Sequence, residues 1–401
     1  MHILVLNCGS SSVKFGLLDP AAPGGGERAI RGVATNLGRG GAVSLRFRDG
    51  AGEGALELEA SSHESAIRGI LALLEQRGDA LPRVGAAGHR VVHGGEAFRD
   101  SALIDASVID RIEALSPLAP LHNPVNLCGI RMLRDAFPGL PQVAVFDTAF
   151  HQSLPPRAFR YALPEKLYRE LGVRRYGFHG ISHRYVAHEA IRRLGLDPER
   201  SALITAHLGN GCSATAVSAG RSVDTSMGLS PLEGLVMGTR SGDVDPGLHE
   251  YLARRLDLDL SDLTALFNEQ SGLLGVSGQT SDMRQLLVAC EAGDERAALA
   301  VELFCYRLAK QVAALTVPLG RLDALVFTGG IGENAAGVRA RALGLLGHLG
   351  LQVDEARNDA HGAASGGVVT RDSPPVALVV PTDEELLIAS ETAALLELPG
   401  I

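Results

Sequence analysis

Four short apolar runs along the chain each lead directly into a turn of glycine and small polar residues. The runs are Ile3–Leu6, Val143–Phe146, Ala202–Thr205 and Ala324–Phe327. Because nearly all of their side chains are apolar, these runs are typical of strands in a sheet covered on both faces. Helical stretches lie between them, so the pattern predicts an α/β fold.

The turns at Gly9 and Gly211 are similar beyond the glycine itself. Each is followed by a second strand-like segment, Ser12–Leu18 in one case and Ser213–Val217 in the other. Each therefore predicts a β-hairpin, and one hairpin falls in each half of the chain. The pattern predicts two related halves that face one another.

Helical spacing of apolar residues marks Glu64–Arg77 and Asp294–Val317. Thr382–Glu385 has the pattern of a capping box and predicts the start of an apolar helix that runs to about Leu398. Pro23–Gly54 is rich in glycine and arginine and has weak periodicity. It predicts a surface hairpin or loop.

A chain of 401 residues exceeds one hydrophobic core, so we expect two domains, with a crossing near Pro155 and Pro156. Hydrophobic residues make up 46% and charged residues 21%, as in a soluble globular protein. The formal net charge of −9 argues against a nucleic-acid partner, which needs a basic face. No apolar run is long enough to cross a bilayer, so we expect no membrane association.

The five cysteines (Cys8, Cys128, Cys212, Cys290 and Cys305) are scattered and lack CxxC spacing. This argues against a disulfide framework or a zinc cluster and indicates a reducing compartment. The N-terminus also lacks the basic segment and cleavage site of a signal peptide. We therefore expect a cytoplasmic protein.

Glycine-rich turns at strand ends suit phosphate binding, because backbone N–H groups there can approach an anion without a Cβ in the way. No G-x-x-x-x-G-K-[ST] motif occurs, so this is not a P-loop protein. A single turn of this kind is more often only a hairpin turn. Three such turns after three predicted buried strands indicate phosphate binding more strongly.

Two alternative interpretations arise from local motifs. Gly330–Ala335 fits the dinucleotide fingerprint G-x-G-x-x-A, with Asp354 about twenty residues later, and so suggests an NAD-dependent enzyme. Too little chain follows, however, to complete a doubly wound nucleotide domain. The histidine pairs at His89/His93 and His179/His183 are four apart, a spacing that suits metal ligands on a helix, but neither pair has the glutamate of H-E-x-x-H.

Arg90 and Arg240 each lie among glycines, where a guanidinium can approach a bound anion and hold it in a bidentate fork. Each taken alone also fits a surface salt bridge. Asp147 similarly fits a strand-end turn, and Glu384 fits a residue that favours the dipole of its helix. These four residues are candidates whose roles the local pattern leaves open.

Taken together, these segments resemble the acetate kinase family from the first predicted strand to the last predicted helix. The segments that carry the resemblance are Asn7–Lys14, Gly88–Glu96, Pro120–Pro124, Phe146–His151, Phe178–His183, His207–Ser213, Asp224–Asp245, Phe327–Asn334 and Pro381–Glu385. Several are long and specific, and all occur in one chain.

The resemblance implies the two-domain α/β fold of sugar kinases, Hsp70 ATPases and actin (ribonuclease H-like), with a nucleotide in the cleft between the domains. Residues 1–150 with 384–401 would form the N-terminal domain, and residues 151–383 the central nucleotide-binding and dimerisation domain. It also implies a homodimer and a reversible transfer of the ATP γ-phosphoryl group to acetate, giving acetyl phosphate and ADP. Mg²⁺ would assist, with Mn²⁺ as the other candidate ion.

The resemblance also assigns roles to residues. The catalytic groups would be Arg90, Asp147, His179 and Arg240. Arg90 would also bind acetate, in a pocket with Val92, Leu121, Phe178 and Pro231. ATP and its phosphates would contact Lys14, His207, Gly209, Asn210, Gly211, Asp282, Met283, Arg284, Gly330, Ile331, Gly332, Glu333 and Asn334. Asn7 and Glu384 would lie near the metal.

Three alternatives remain beside acetate kinase. The first is a kinase for propionate, since one methylene in an apolar pocket discriminates only about 10- to 200-fold; branched Val92 favours acetate. The second is a chaperone or filament protein of the same fold, for which 401 residues leave no peptide-binding domain. The third is the NAD-dependent enzyme. Cys8 and Cys212 replace small residues beside the phosphate turns and could make the protein sensitive to oxidants, although small buried packing is the simpler role.

Overall fold

The structure of the chain, a computed structural model, describes residues 2–9, 11–22, 27–38, 40, 42–78 and 83–396. Its strands are β1 (His2–Cys8), β2 (Ser12–Asp19), β3 (Glu27–Thr35), β4 (Ser44–Asp49), β5 (Gly52–Glu57), β6 (Val84–Val91), β7 (Ala102–Leu103), β8 (Gln142–Phe146), β9 (Ala202–Leu208), β10 (Cys212–Ser218), β11 (Arg221–Thr225), β12 (Ala324–Thr328) and β13 (Val376–Val379).

The α-helices are α1 (His63–Arg77), α2 (Ala106–Ala114), α3 (Asn123–Ala136), α4 (Pro156–Phe159), α5 (Glu165–Leu171), α6 (Gly180–Leu194), α7 (Gly247–Leu256), α8 (Leu260–Glu269), α9 (Gly272–Ser277), α10 (Met283–Glu291), α11 (Glu295–Leu315), α12 (Gly329–Asn334), α13 (Ala336–Leu345), α14 (Glu355–Asp359) and α15 (Glu384–Leu395). Among the described residues, no helix is both long and apolar enough to span a membrane.

The chain divides into two units. The first comprises the described residues of Met1–Phe150 and Asp383–Ile401, and the second comprises His151–Thr382. The first unit contains a sheet in the order β5-β4-β3-β2-β1-β6-β8-β7, and the second a sheet in the order β11-β10-β9-β12-β13. The predicted functions of the two domains stay predictions.

One hydrophobic core of the first unit joins its sheet to helices α1 and α3. Leu4, Leu6 and Phe15 are fully or almost fully buried there, together with side chains of α1 and α3. Helix α15 packs against the strands as well, and Gly88 on β6 allows its close approach. A Cβ at Gly88 would lie 2.5 Å from the Thr392 hydroxyl oxygen, so only glycine fits without displacing the helix.

The two sheets share an arrangement of five strands. In the first unit, β3-β2-β1 are antiparallel neighbours, whereas β1-β6-β8 are parallel. In the second unit, β11-β10-β9 are antiparallel neighbours and β9-β12-β13 are parallel. The predicted hairpins at Gly9 and Gly211 and the predicted relation between the halves are confirmed. That the halves face one another stays a prediction.

Two local predictions need correction. Within Pro23–Gly54, β3 and β4 are antiparallel neighbours, as the predicted hairpin requires, but Leu45 is buried in the core. The hairpin is therefore part of the sheet and not a surface element. In β4 the arginines alternate with apolar residues, and this alternation was obscured by the glycines on either side of the strand. Residues 23–26, 39 and 41 lie outside the described residues.

The last helix begins one residue later than the capping box predicted. Asp383 is the N-cap, and its side chain accepts a hydrogen bond from the backbone N–H of Leu386. Thr382 instead pairs its hydroxyl with that of Ser182. The helix ends at Leu395, and the predicted end at Leu398 lies outside the described residues.

Candidate functional site

In the first unit, four of the predicted site residues form one polar cluster. Asn7 lies on β1, Arg90 on β6, Asp147 directly after β8, and Glu384 at the start of α15. Because β1, β6 and β8 are parallel neighbours, their carboxyl ends meet at the same edge of the sheet. The register of the strands thus brings together residues that are distant in sequence.

An ion pair between Arg90 and Asp147 is the centre of this cluster. The guanidinium donates from Nε and Nη2 to the carboxylate at 3.1 and 2.5 Å. The Asp147 side chain is 2% exposed and that of Arg90 17%. Burial raises the pKa of Asp147, an effect that the neighbouring Arg90 charge opposes. For Arg90, burial lowers the pKa, but the charges of Asp147 and Glu384 outweigh it and raise the pKa above its ordinary value. The guanidinium therefore stays charged and is held in one orientation.

Asn7 and Glu384 extend the cluster by two hydrogen bonds. Arg90 Nη1 donates to Asn7 Oδ1 at 3.1 Å, and Asn7 Nδ2 donates to Glu384 Oε2 at 3.4 Å. An amide oxygen and a carboxylate are ligands that Mg²⁺ accepts. The Arg90 charge beside Asn7 Oδ1 makes Glu384 the better of the two for a cation.

The other predicted site residues of the first unit differ in how far they are exposed. Val92 is buried, with 4% of its surface exposed, and its backbone N–H donates to Asn126 Oδ1. Leu121 is 69% exposed, so within this unit it forms no closed pocket wall. Lys14 is exposed on β2 and lies opposite Asn7 in the strand register.

In the second unit, His179 is the N-cap of α6 and has a left-handed backbone, with φ 56° and ψ 22°. Few residues other than glycine adopt this conformation, although histidine is among the more frequent. Its ring stacks on that of His207, which lies near the end of β9, with ring centroids 4.3 Å apart. A strained residue held in place by its surroundings is a common feature of functional sites.

Hydrogen bonds to serine hydroxyls hold these two histidines. His179 Nδ1 lies 2.9 Å from Ser213 Oγ, and His207 Nδ1 lies 2.8 Å from Ser182 Oγ. Ser213 Oγ also lies 2.7 Å from Nε2 of His183, a fully buried histidine whose pKa burial lowers well below its ordinary value. The predicted pair His179/His183 is therefore linked through a serine and not through a metal.

Arg240 lies close to His179 but has a different environment from Arg90. Its Nη1 donates to the backbone carbonyl of Pro231 at 3.0 Å. It makes no ion pair with any residue that the structure describes. Burial lowers the pKa of Arg240, because the guanidinium loses hydration without gaining a carboxylate partner. A Cβ at Gly211 would lie 3.3 Å from Arg240 Nη1 and 3.5 Å from His179 Nε2, so the three meet around this glycine.

The turn that contains Gly209, Asn210 and Gly211 is held by the backbone. Gly209 N–H donates to Gly211 O at 3.0 Å, and Gly238 N–H donates to Asn210 O at 2.9 Å. Gly238 leaves room for the Asn210 side chain in its present position, since a Cβ there would lie 2.1 Å from Asn210 Oδ1. The structure thus brings together the predicted residues His179, His207, Gly209, Asn210, Gly211, Pro231 and Arg240.

The predicted nucleotide segment Gly330–Asn334 forms most of α12, directly after β12. The Glu333 carboxylate accepts hydrogen bonds from the backbone N–H groups of Gly329 and Thr382, at 2.9 and 3.1 Å. Its role is therefore to fix the turn. Asp354, the residue that completed the dinucleotide fingerprint, is the N-cap of α14 and accepts from Arg357 N. That position needs no nucleotide to explain it.

The predicted segment Asp282–Arg284 begins α10. Asp282 is the N-cap, and its carboxylate also binds the guanidinium of Arg284. Its pKa is lowered to about 2, first by the Arg284 hydrogen bond. The Arg284 side chain is 87% exposed, whereas Met283 is buried. Phe178 is buried too, and its carbonyl accepts a hydrogen bond from His151 Nε2.

Sequence reasoning missed several residues that support these segments. Arg339, on α13, is fully buried and donates from Nη1 to the carbonyls of Gly332 and Glu333, both at 2.9 Å. Ser213 and Thr205 flank His183. Both hydroxyl residues occupy strand positions where serine and threonine are ordinary, and Arg339 lies in an arginine-rich helix. We find no signal in the sequence that distinguishes them.

Possible metal ligands are scattered in the described part of the chain. Within residues 2–9, 11–22, 27–38, 40, 42–78 and 83–396, no three or more side chains of His, Cys, Asp or Glu are grouped so that they could hold a metal ion. His89, one of the predicted pair on β6, instead binds the Gln142 side chain through Nε2 at 2.7 Å. The histidine pairs thus have other partners in this structure.

Comparison with known proteins identifies the family. The Acetokinase family matches residues 2–390. A protein from Deinococcus radiodurans named acetate kinase is 53% identical over 98% of this chain and 98% of its own length. Among solved structures, a propionate kinase from Francisella tularensis subsp. tularensis SCHU S4 is 44% identical with a TM-score of 0.91, over 97% of this chain and 98% of its own. The acetate kinase of Porphyromonas gingivalis is 42% identical with a TM-score of 0.89, over 98% and 99%.

These similarities extend over nearly the full length of this chain and of each relative, so they concern the whole fold and not one motif. The predicted α/β kinase fold is confirmed. The membership also favours the kinase interpretation over the dinucleotide one. The chain belongs to the acetokinase family.

Proposed function

We propose that this protein is an acetate kinase, which transfers the γ-phosphoryl group of ATP to acetate and gives acetyl phosphate and ADP, reversibly. The observation that carries the proposal is the environment of Arg240. A guanidinium that is largely removed from water and has no carboxylate partner among the described residues is suited to bind an anion from outside the chain. His179 and Gly211, which lie beside it, supply neutral donors for the same anion.

The reaction needs no general base. Acetate is ionised near pH 7, so one of its oxygens attacks the γ-phosphorus directly. The bond from that phosphorus to the bridging oxygen breaks, and the electron pair stays on the β-phosphate of ADP. What the protein supplies is positioning and neutralisation of charge on the transferring group. We assign this role to Arg240 and His179.

The acetate carboxylate is assigned to Arg90. The fixed orientation that Asp147 imposes on this guanidinium suits a planar, bidentate ligand. Asp147 thus orients Arg90, and we class it as a positioning residue. Buried Val92 and Phe178, with Pro231 and the more exposed Leu121, are proposed to contact the methyl group.

The nucleotide is assigned to glycine-rich turns. His207, Gly209, Asn210 and Gly211 are proposed to bind its phosphates, with Lys14 as a further cation. Residues proposed to contact the adenosine or to shape its site are Asp282, Met283, Arg284, Gly330, Ile331, Gly332, Glu333 and Asn334. Residues 151–383 would then be the nucleotide-binding domain, and residues 1–150 with 384–401 the other domain.

A divalent cation, Mg²⁺ or Mn²⁺, is part of this proposal. Glu384 and Asn7 fit such an ion in their chemistry, because Mg²⁺ favours one or two carboxylates and keeps several waters. Since Arg90 already occupies Asn7 Oδ1, we assign contact through water to these residues. Bound with ATP, the cation would neutralise phosphate charge.

The proposal is tested by an assay that traps acetyl phosphate with hydroxylamine while ADP is measured separately. We expect both products to form in equal amounts, and only when acetate, ATP and the cation are all present. ADP formation that does not depend on acetate would overturn the proposal. Omitting Mg²⁺ and then adding Mn²⁺ tests the cation in the same experiment.

Propionate is the second candidate substrate, because a protein named propionate kinase has a closely similar structure. We favour acetate, since branched and buried Val92 leaves less room for a longer chain. The test is a comparison of kcat/KM for the two acids at saturating ATP. A higher value for propionate would reverse the assignment.

We further propose a homodimer in the cytoplasm. Several large apolar side chains of the second unit are exposed and could be covered by a second copy; they are Tyr251, Leu256, Leu260, Val288, Leu299 and Tyr306. Leu299 and Tyr306 are seven residues apart on α11 and thus lie on one face. All five cysteines are free thiols, which suits a reducing compartment. Sedimentation of the protein with and without Tyr306→Asp measures the oligomeric state.

A further inference from the structure

A chain of hydrogen bonds inside the second unit leads from Thr205 to His179. Thr205 Oγ1 lies 2.7 Å from His183 Nδ1, and His183 Nε2 lies 2.7 Å from Ser213 Oγ. Ser213 Oγ lies 2.9 Å from His179 Nδ1. Thr205, His183 and Ser213 are all fully buried. The three contacts connect a threonine on β9, a histidine on α6, a serine on β10 and the N-cap of α6.

The proton positions along this series of hydrogen bonds can be assigned in order, starting from the Thr205 hydroxyl. A threonine hydroxyl has one hydrogen to donate. Thr205 has two acceptors within reach, His183 Nδ1 at 2.7 Å and the Thr215 carbonyl at 3.5 Å. A distance of 2.7 Å is near the optimum for a hydroxyl donor, whereas 3.5 Å is at the limit of a hydrogen bond. The hydrogen therefore lies on the bond to His183 Nδ1.

The remaining protons are then determined. His183 is neutral, because burial lowers its pKa well below the ordinary value. With Nδ1 as an acceptor, its single N–H is on Nε2 and donates to Ser213 Oγ. The Ser213 hydroxyl hydrogen is left to donate to His179 Nδ1. Neutral His179 then carries its own proton on Nε2.

We propose that Ser213 is a positioning residue, which acts with His183 and Thr205 to keep the proton of His179 on Nε2. This inference rests on the proposed role of His179 in phosphoryl transfer. The Nε2 atom is on the edge of the ring beside Gly211 and Arg240, the region assigned to the phosphoryl group. With the proton on Nε2, the ring donates a hydrogen bond to a phosphoryl oxygen. With the proton on Nδ1, the same ring would present a lone pair to that oxygen and repel it.

The arrangement also explains why a buried polar chain is kept here. A neutral donor needs no counter-charge, so His179 can assist Arg240 without adding a second cation beside it. The proton on Nε2 is set before the substrate binds, so no proton rearrangement is needed during transfer. The series of hydrogen bonds begins at Thr205, whose one hydroxyl hydrogen is donated to His183 Nδ1.

The test uses the intact protein with ¹⁵N-labelled histidine and three variants. In the wild type we expect the ¹⁵N spectrum of His179, assigned by its loss in His179→Gln, to show a proton on Nε2 and an unprotonated Nδ1 at pH 8. Ser213→Ala is expected to mix the two tautomers and to lower kcat between about 10- and 100-fold, with KM for ATP changed by less than about twofold. Ser213→Thr, which keeps the hydroxyl, is expected to restore both the Nε2 tautomer and the wild-type kcat.

A matched control is available in the same unit. Ser222 Oγ lies 2.8 Å from Nδ1 of buried His151, whose Nε2 lies 3.0 Å from the Phe178 carbonyl, so this serine–histidine pair contacts the backbone next to His179 and not the His179 ring. Ser222→Ala should leave the His179 tautomer and kcat near wild-type values. If wild-type His179 carries its proton on Nδ1, or if Ser213→Ala leaves its tautomer unchanged, the inference is wrong.

The two readouts also separate this inference from the proposed function. A wild type with the Nε2 proton but no acetate-dependent acetyl phosphate would contradict the function and leave the tautomer assignment in place. An active wild type with the Nδ1 proton would contradict only the role of Ser213.

Discussion

The two arginines proposed to act in catalysis lie in contrasting surroundings. Arg90, in the first unit, is bound by the Asp147 carboxylate through Nε and Nη2 and by Asn7 through Nη1. Among the described residues, Arg240, in the second unit, donates to a backbone carbonyl and a methionine sulfur and has no carboxylate partner. The charge of Arg90 is thus balanced by a neighbouring carboxylate, whereas no described carboxylate balances that of Arg240.

This difference indicates that Arg90 and Arg240 have different roles. A paired arginine is held rigidly and presents a fixed hydrogen-bonding edge, so it suits orientation of a small planar carboxylate. An unpaired arginine has more of its charge available, so it suits a group whose negative charge must be neutralised. His179, which binds the Ser213 hydroxyl, lies beside Arg240 at Gly211 and adds no carboxylate to balance that charge.

The largest effect is expected from Arg240→Ala. Removing the unbalanced charge should lower kcat on the order of 10³-fold, since a single oriented cation at the transferring phosphoryl group can contribute that much. Circular dichroism should show an intact fold, because no buried carboxylate loses its partner. Arg192→Ala is the control, as Arg192 is an exposed arginine paired with Glu189. If both variants retain activity, the contrast between Arg90 and Arg240 has no catalytic meaning.

Asp147→Asn tests the role assigned to Arg90, the arginine whose charge is paired. It keeps the shape of the side chain but removes the charge that orients Arg90, so kcat/KM for acetate should fall roughly 10²-fold. The free energy of unfolding should also fall by about 3 kcal/mol, because the buried Arg90 charge loses its partner. Activity assays and urea unfolding measure the two effects.

Glu113→Gln is the matched control for that variant. Glu113 pairs with Arg131 on the surface, where both side chains are about half exposed. Surface pairs of this kind contribute only about 0–1 kcal/mol. Equal losses in Asp147→Asn and Glu113→Gln would show that the Arg90 pair is an ordinary salt bridge.

Gly238→Ala tests whether the backbone turn beside Arg240 matters as much as the charge. The added methyl group would displace the Asn210 side chain, whose Oδ1 lies 2.1 Å from the Cβ position. We expect KM for ATP to rise roughly tenfold, the value of about one hydrogen bond to a charged group. Gly344→Ala is the control, because nothing lies within 4 Å of that Cβ position. An unchanged KM in Gly238→Ala would remove Asn210 from the phosphate site.

The strand framework and the grouping of Arg90 with Asp147 follow from the sequence to a large extent. Apolar runs that lead into turns of glycine or small polar residues predicted β1, β8, β9 and β12, and each turn lies at the carboxyl end of its strand. Parallel strands then place such ends side by side, whatever their distance along the chain. The pattern is readable because burial on both faces demands apolar residues at every position.

Partner choice could not be predicted in the same way. Arg90 and Arg240 are both surrounded by glycines in the sequence, yet of the two only Arg90 has a carboxylate partner among the described residues, the Asp147 side chain 57 positions away. The chain from Thr205 to His179 depends on ring orientations and on distances of a few tenths of an ångström. Leu45 was missed for another reason: its strand alternates apolar residues with arginines, and the glycines on either side of the strand obscured the alternation.

The smallest effect concerns the neutral histidines, and it distinguishes the second unit from a site that is held by charge. Burial lowers the pKa of His151 to about 4, whereas an unfolded histidine has a pKa of about 6.5. Between these values the unfolded chain takes up a proton that the folded protein does not, so the free energy of unfolding falls as the pH falls. Above pH 6.5 both states are neutral and the contribution vanishes.

From pH 6.5 to pH 5.5, His151 alone should account for a loss of about 1 kcal/mol. His151→Gln should therefore have a flatter dependence of unfolding free energy on pH than the wild type by that amount, whereas exposed His348→Gln should match the wild type. A steeper dependence in His151→Gln would mean that His151 is protonated in the folded protein, which would contradict the neutral surroundings described for the histidines of the second unit.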